Sequence, residues 1–196
     1  MKKSILMIAA AGVAACCLGA CSSSCGKKGD SKKYDQLNSM LAVNYSQISL
    51  TVTDTFDDNT SLKSEYVFKY SESEITVEYS VERFSQLSLD ASTEFKTTFE
   101  GTAVIKDGKV TGGEEVGLTA AMASPKFTFK EENFENITLT GVYLQADVKN
   151  VGAFCGLALG CTDMKIYAEF LQIFYNIEIS YTQDGNSVVY KYVFTL

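Results

Sequence analysis

Apolar and polar residues alternate along most of the chain after residue 47. Ile48, Leu50 and Val52 alternate with serine and threonine, and the same period of two recurs in later segments. Successive side chains of a strand point to opposite faces, so this pattern predicts strands with one face in a core and the other in water. The segments with this pattern are residues 48–56, 62–70, 75–82, 87–105, 116–122, 127–130, 137–148, 164–181 and 188–196.

Three of these segments are unusually long or change phase. Residues 87–105 keep one phase throughout, which predicts a long curved strand or two strands joined at a bend. Residues 137–148 change parity at Gly141, and residues 164–181 change parity near Phe170. Each change predicts a one-residue bulge. Turns are predicted at residues 71–74, 107–108 and 184–186.

A short segment before the strands has the period of a helix. Tyr34, Leu37 and Leu41 recur at positions i, i+3 and i+7, which predicts a helix over residues 31–44 with Ser31 as its N-cap. With eight to ten strands after it, the chain is predicted to be all-β, an antiparallel meander with a short N-terminal helix. A barrel, a half-barrel and a sandwich all agree with this pattern.

The first residues have the order of a secretory signal peptide. Lys2 and Lys3 precede an uncharged stretch at residues 5–18, which is about 14 residues long and shorter than the roughly 20 that a membrane-spanning helix needs. Leu18-Gly19-Ala20-Cys21 ends this stretch. The motif resembles the lipobox of bacterial lipoproteins, in which the cysteine thiol receives a lipid.

This resemblance implies an extracytoplasmic protein that is cut before Cys21 and held at a membrane of the cell envelope by lipid on that cysteine. Residues 1–20 are then the signal peptide, residues 21–33 a flexible tether, and residues 34–196 a single β domain. Two alternatives stay open. Val13-Ala14-Ala15-Cys16 fits the same cleavage pattern, and the apolar stretch could be an uncleaved anchor helix.

Composition excludes several classes of function. The chain contains no histidine, which excludes a Ser-His-Asp triad, a Cys-His pair and a histidine-ligated zinc site. Without Lys2 and Lys3 it has 17 − 2 = 15 Lys+Arg against 24 Asp+Glu, and this acidic balance disfavours a nucleic-acid partner. Adjacent acids such as Glu114-Glu115 leave an enzyme with two carboxylates as an alternative. We expect a protein that is not an enzyme and holds no cofactor or metal.

Residues 151–161, VGAFCGLALGC, carry no charge where a connection between strands is normally polar. The side chains of an apolar loop must be buried away from water. The loop is either a helix or plug that closes one end of the β core, or a lid over a ligand cavity. Cys155 and Cys161 lie in this segment. They form a disulfide, which an extracytoplasmic domain permits, or remain two buried thiols.

Long antiparallel strands after an N-terminal helix, with aromatic residues on one face and an apolar insertion, are broadly similar to the half-barrels of lipoprotein carriers. In those proteins a curved sheet and a lid enclose acyl chains. The resemblance rests on pattern and identifies no residues. It implies a domain that binds an apolar or amphipathic ligand, such as a lipid, in its concave interior.

A cavity of this kind would lie beneath the apolar loop and be lined by aromatic and aliphatic side chains of the strands. The candidate ligand-binding residues are Phe95, Phe99, Phe154, Leu157, Leu159, Ile173 and Tyr175. The alternative function is that of a structural or adhesion module of the envelope, with a solid core and a protein or glycan as its partner.

Overall fold

The computed structural model describes residues 30–56, 60–86, 94–156 and 161–196, without the side chains of residues 30, 84–86, 94–96 and 115. Within them the chain forms helices α1 (Asp30–Leu41) and α2 (Val151–Cys155) and ten strands. The strands are β1 (Gln47–Thr55), β2 (Ser61–Tyr70), β3 (Ile75–Gln86), β4 (Glu94–Lys106), β5 (Lys109–Thr111), β6 (Phe134–Leu139), β7 (Tyr143–Val148), β8 (Cys161–Phe170), β9 (Phe174–Gln183) and β10 (Asn186–Thr195).

All of these strands join one antiparallel sheet in the order β5-β4-β3-β2-β1-β10-β9-β8-β7-β6. The first and the last strand pair at the centre, where Ile48 lies opposite Phe194. β5 and β6 are the edges and do not pair with each other, so the described strands form an open sheet rather than a closed barrel or a two-sheet sandwich. The predicted all-β meander is confirmed, and of its three arrangements only the half-barrel agrees with a single open sheet.

One face of the sheet forms the core. Ile48, Leu50 and Val52 are buried and alternate with partly exposed residues, as the period of two predicts. The covering layer consists of α1, α2 and the connection between β5 and β6, residues 112–133. Leu37 of α1 and Phe129 of this connection are almost fully buried. Burying a side chain of this size stabilises the fold by about 1.5–3 kcal/mol.

Two predicted strands are wrong, and both lie in the β5–β6 connection. Val116 ends one 3-10 turn, Ala120–Ala123 forms a second one, and residues 127–130 run outside the sheet. Gly112, Gly113 and Gly117 have φ angles of 83°, 76° and 65°, a left-handed conformation that turns the chain away from the sheet. Short apolar runs do not distinguish a strand from a buried loop, which explains the wrong prediction.

The bulge predicted at Gly141 is a tight turn between β6 and β7. There the Thr140 hydroxyl accepts hydrogen bonds from the backbone N–H groups of Val142 at 3.2 Å and Tyr143 at 3.0 Å. A real bulge lies earlier, between Glu135 and Thr138 of β6. A chain reversal and a bulge both change the parity of the apolar residues, so parity alone did not separate them.

The register shift predicted near Phe170 is present, and it lies beside a chain reversal that the pattern does not predict. Residues 171–173 connect β8 to β9, and the Leu171 N–H donates to the Ile173 carbonyl at 3.1 Å. The ladder between the strands shifts register beside this turn, so that Tyr175 has no partner in β8. The turn contains neither glycine nor proline, and the sequence therefore has no signal for it.

The other turns are confirmed. Asp107-Gly108 has φ angles of 52° and 73°, and Asp184-Gly185 has 50° and 87°. Consecutive left-handed residues fit the twist of a two-residue hairpin. In the β2–β3 turn the Ser71 N–H donates to the Glu74 carbonyl at 3.0 Å.

Several predicted boundaries shift. α1 begins at Asp30 and ends at Leu41, so Ser31 lies inside the helix and is not its N-cap. Residues 30–33, the last part of the predicted tether, are thus helical and form the first turn of α1, before the buried Tyr34. β4 begins at Glu94, and residues 87–93 of the predicted long strand lie outside the described residues.

Candidate functional site

A segment of the β5–β6 connection crosses the covered face of the sheet without pairing to it. This segment, residues 120–127, is the strap; it begins with a 3-10 turn and continues through Pro125. The Tyr70 hydroxyl of β2 donates to the Ala123 carbonyl in the strap. Just before the strap, the Tyr66 hydroxyl donates to the Val116 carbonyl at 3.1 Å. Tyrosines of the sheet therefore hold this part of the connection by its backbone.

The chain after the strap is fixed by the two helices. The side chain of Asn38 in α1 accepts a hydrogen bond from the Phe129 N–H at 2.9 Å and donates one to the Phe129 carbonyl at 2.8 Å. The Thr128 N–H donates to the Phe154 carbonyl in α2 at 2.8 Å. Because the helices satisfy these backbone groups, the segment needs no strand partner.

A cavity of about 520 Å³ lies between the strap and the last two strands. Its floor is Ile179 and Tyr181 of β9 with Tyr190 and Tyr192 of β10. Small-molecule sites have volumes of about 300–1,000 Å³ and mostly apolar walls, and this cavity has both properties.

The roof of the cavity is made of small side chains. The strap residues that face the tyrosine floor are Ala120, Ala121, Ser124 and Pro125. Lys126 is the one charged residue among the described residues of the lining. None of the four fills the space above the floor as a leucine or phenylalanine would. The cavity therefore results from a strap of small residues above a row of large ones.

The three tyrosines of the floor form a row. The ring centroids of Tyr181 and Tyr190 are 6.1 Å apart with an interplanar angle of 15°, and those of Tyr190 and Tyr192 are 6.5 Å apart at 19°. Burial is the first cause that raises the pKa of each phenol. The hydroxyls stay protonated at physiological pH and can both donate and accept hydrogen bonds.

Asp54 brings a carboxylate to one end of this row. It shares the core-facing parity of Leu50 and Val52 in β1 and lies opposite Val188 of β10. Burial raises the pKa of the Asp54 carboxyl. The pKa of Tyr190 is raised first by burial and further by the Asp54 charge. None of the described lysines and arginines forms an ion pair with Asp54.

A second opening of about 690 Å³ lies on the other side of the strap, beside the end of α1. Leu41 and Phe194 contribute apolar walls, while Asn44 and Glu72 make the lining more polar than that of the first cavity. Ser124, Pro125 and Lys126 border both spaces, so the strap separates them. The first cavity is the better candidate for an apolar ligand.

The structure places Phe154 in a packed aromatic cluster. Its side chain is 1% exposed, and its ring centroid lies 5.3 Å from that of Phe127, 5.7 Å from Phe129 and 5.3 Å from Phe134. The described part of the apolar segment, α2, thus inserts a core side chain, as the plug hypothesis expects. Leu157 and Leu159 lie outside the described residues.

Three other predicted ligand-binding residues, Phe99, Ile173 and Tyr175, lie away from the first cavity. Phe99 of β4 is 46% exposed and Tyr175 of β9 is 45% exposed, while Ile173 is half-buried in the β8–β9 turn. Phe95 belongs to β4, but its side chain is not among those described. Phe99, Ile173 and Tyr175 are not on the walls of the first cavity. Ligand binding by them stays a prediction.

Cys155 and Cys161 are present as thiols and not as a disulfide. Cys155 lines the first cavity, and its Sγ lies 4.0 Å from the Sδ of Met164. The pKa of the Cys161 thiol is raised by burial first and by Cys155 second, so this thiol is a poor nucleophile at neutral pH.

The residues that form the cavity were not identified as a site from the sequence. Tyr190, Tyr192 and Phe194 appear in the sequence as an aromatic stripe of period two, which indicates a core strand as well as a cavity floor. The distinguishing signal is the run of small residues Ala120-Ala121 and Ser124-Pro125. Its position over the stripe depends on tertiary contacts, which the local pattern does not contain.

No protein-family model matches the chain, and no curated protein sequence is significantly similar to it. Among the helices that the structure describes, none is long and apolar enough to cross a membrane. In the same part of the chain no three Cys, Asp or Glu side chains lie close enough together to hold a metal ion.

Proposed function

We propose that this protein is a non-enzymatic lipoprotein of the cell envelope that binds an apolar or amphipathic ligand in the cavity beneath the strap. The observation that carries this proposal is the cavity of about 520 Å³ between the small side chains of the strap and the floor formed by Tyr181, Tyr190 and Tyr192. Apolar walls with a few fixed polar groups are typical of sites for such ligands.

The polar groups in this cavity support an amphipathic ligand in particular. The tyrosine hydroxyls and the thiol of Cys155 lie at its walls, and Lys126 contributes an exposed ammonium at the strap. An acyl chain or another apolar group would pack on Ile179 and the tyrosine rings. Its polar end would bind to the hydroxyls or to Lys126.

The anchor in this proposal is lipid on Cys21, supported by the lipobox-like Leu18-Gly19-Ala20-Cys21. Eight residues separate Cys21 from Asp30, where α1 begins (30 − 21 − 1 = 8). A chain of that length spans at most about 30 Å. The domain would therefore stay within roughly one domain diameter of the membrane surface.

A blocked cavity tests the ligand-binding proposal. Ala121 is exposed at the strap and borders the cavity, so Ala121→Trp should fill it and weaken the binding of a fluorescent fatty acid at least tenfold. Ala153→Trp, at an exposed position of α2, is the matched control and should bind as the unaltered protein does. Binding that Ala121→Trp leaves unchanged would place the ligand elsewhere.

A second candidate function is supported by the aromatic cluster around Phe154. That part of the core is filled, as expected for a structural or adhesion module with a protein or glycan partner. Native mass spectrometry of protein from its own membrane distinguishes the two functions. A co-purified lipid supports the binder, whereas protein that carries no lipid and takes up no fatty acid supports the module.

Replacing the proposed lipid attachment residue tests the anchor separately. Cys21→Ala should leave an unprocessed precursor, because the lipid is attached to this thiol before cleavage. Metabolic labelling with a fatty acid and the mass of the protein measure this directly. A variant that is still labelled and is cut before Cys16 would show that the second motif is used.

A further inference from the structure

The two edges of the sheet differ in how much of their backbone is protected. β6 is six residues long, and a bulge between Glu135 and Thr138, with Asn136 at a φ of 51°, interrupts it. Short, bulged edges are poor templates for another strand. At the other edge, β5 covers only the last three residues of the thirteen-residue strand β4.

Within the described residues, much of β4 has no partner strand on its outer side. β5 pairs with β4 from Val104 onward, and Gly112 lies against the Thr102 carbonyl. Residues 94–101 have backbone partners in β3 alone among the residues that the structure describes. A free edge of this length is a ready site for the addition of a strand.

The side chains beside this edge are exposed, including one large apolar group. All of residues 97–100 are exposed. Phe99 has the same parity in β4 as the buried Ala103 and Ile105, yet 46% of it is accessible. The covering layer that buries the other two therefore does not extend to Phe99. A partner strand along β4 would bury part of this ring.

We propose that two copies of the chain pair through antiparallel β4 strands about a two-fold axis at Thr98. In this register residue i of one copy lies opposite residue 196 − i of the other. Lys96 then lies opposite Glu100, and the symmetry produces this pair twice. Thr97 lies opposite Phe99, so the threonine methyl group of each copy meets the exposed ring of the other.

Charge favours this register over its neighbours. With the axis at residue 97, Glu94 would lie opposite Glu100, which places like charges together. With the axis at residue 99, Lys96 would lie opposite Thr102 and no opposite charges would meet. β6 offers no comparable self-pairing, because Glu135 is its single charged residue. The self-complementary edge is therefore β4, and its partner is a second copy of this chain.

Charge reversal tests the register. The full chain, in detergent with many more micelles than protein molecules, should show a dimer that dissociates on dilution in sedimentation experiments. Lys96→Glu and Glu100→Lys should each weaken the dimer at least fivefold, because each leaves like charges opposite one another. An equimolar mixture of the two variants should recover dimers, since positions 96 and 100 are both acidic in one variant and both basic in the other.

A cross-link tests the axis independently. Residue 98 meets its own copy in the proposed dimer, so Thr98→Cys should give a reducible covalent dimer under mild oxidation. Thr76→Cys, at an exposed position of β3 inside the sheet, is the control and should give no covalent dimer. A thermal melt confirms that each variant is folded. A chain that is monomeric at all concentrations, or charge variants that dimerise as well as the unaltered chain, would overturn the proposal.

Discussion

Aromatic side chains fill one part of the core face and line a cavity in another. Around Phe154 the rings of Phe129 and Phe134 pack at 5.3–5.7 Å under α1 and α2. Over Tyr190 and Tyr192 the covering layer is the strap, whose small side chains leave a space of about 520 Å³. The two regions differ in the layer that covers the sheet and not in the sheet itself. Helices insert large side chains between the rings, whereas alanine, serine and proline do not reach them.

Phe127 lies where the two regions meet. Its ring stacks on Phe154 at 5.3 Å and touches the edge of Tyr192 at 5.6 Å. It is thus the last residue of the packed cluster and the end wall of the cavity. A ligand in the cavity would contact the core directly through this ring.

The largest expected effect is the loss of stability when a ring is removed from the packed aromatic cluster. Phe129 is fully buried, so Phe129→Ala should lower the free energy of unfolding by about 3–5 kcal/mol through lost burial and the space left behind. Denaturant unfolding measures it. Tyr190→Phe, in the cavity floor, removes a hydroxyl and little packing, and should change stability by less than about 1 kcal/mol.

The next effect concerns the attachment of the chain after the strap to α1. Asn38→Ala removes both hydrogen bonds to the Phe129 backbone and leaves the partly buried N–H and carbonyl of Phe129 without these partners. The expected loss of stability is about 2 kcal/mol or more, since each unsatisfied group costs about 1–3 kcal/mol. The neighbouring Ser39→Ala, whose hydroxyl only contacts Asp35 within the helix at an exposed position, is the control. Equal melting temperatures for the two variants would contradict this role of Asn38.

Replacing an alanine by a larger side chain distinguishes the packed part of the core from the cavity beneath the strap. Ala168 of β8 is fully buried in the packed part of the core, so Ala168→Leu should destabilise the protein by about 1–3 kcal/mol. Ala120 borders the cavity, and Ala120→Leu should change stability by less than about 1 kcal/mol because space for the extra atoms exists. Parallel denaturant titrations compare them. A similar loss for both would mean that the cavity is filled in solution.

The smallest expected effect depends on pH. Burial raises the pKa of Asp54 in the folded protein above its value of about 3.9 in the unfolded chain, so the folded state binds the proton more tightly. Stability is then lost as pH rises through the range just above 3.9. Asp54→Asn should melt at a higher temperature than the unaltered protein at pH 7 and at the same temperature at pH 3. A difference of the same size at both pH values would exclude ionisation as its cause.

Most of the sheet could be predicted from the sequence, because β1, β2, β3 and β10 each bury one face and leave the other in water. The β8–β9 turn could not, since its Leu171-Gln172-Ile173 has no turn residue and a reversal shifts parity as a bulge does. The cavity could not be predicted either. It depends on which residues of the strap come to lie over β9 and β10, and these contacts span more than fifty residues of sequence.

The pairing of β1 with β10 also sets the order in which the fold can be completed. Ser46 and Thr195 are hydrogen-bonded although 149 positions separate them. The halves β1–β5 and β6–β10 are each a continuous meander, but the seam that joins them closes only when the ten residues of β10 are available. A folding chain therefore needs β10 before the seam can close, and until then the unpaired edges of β1 and β9 are exposed to aggregation and to chaperones.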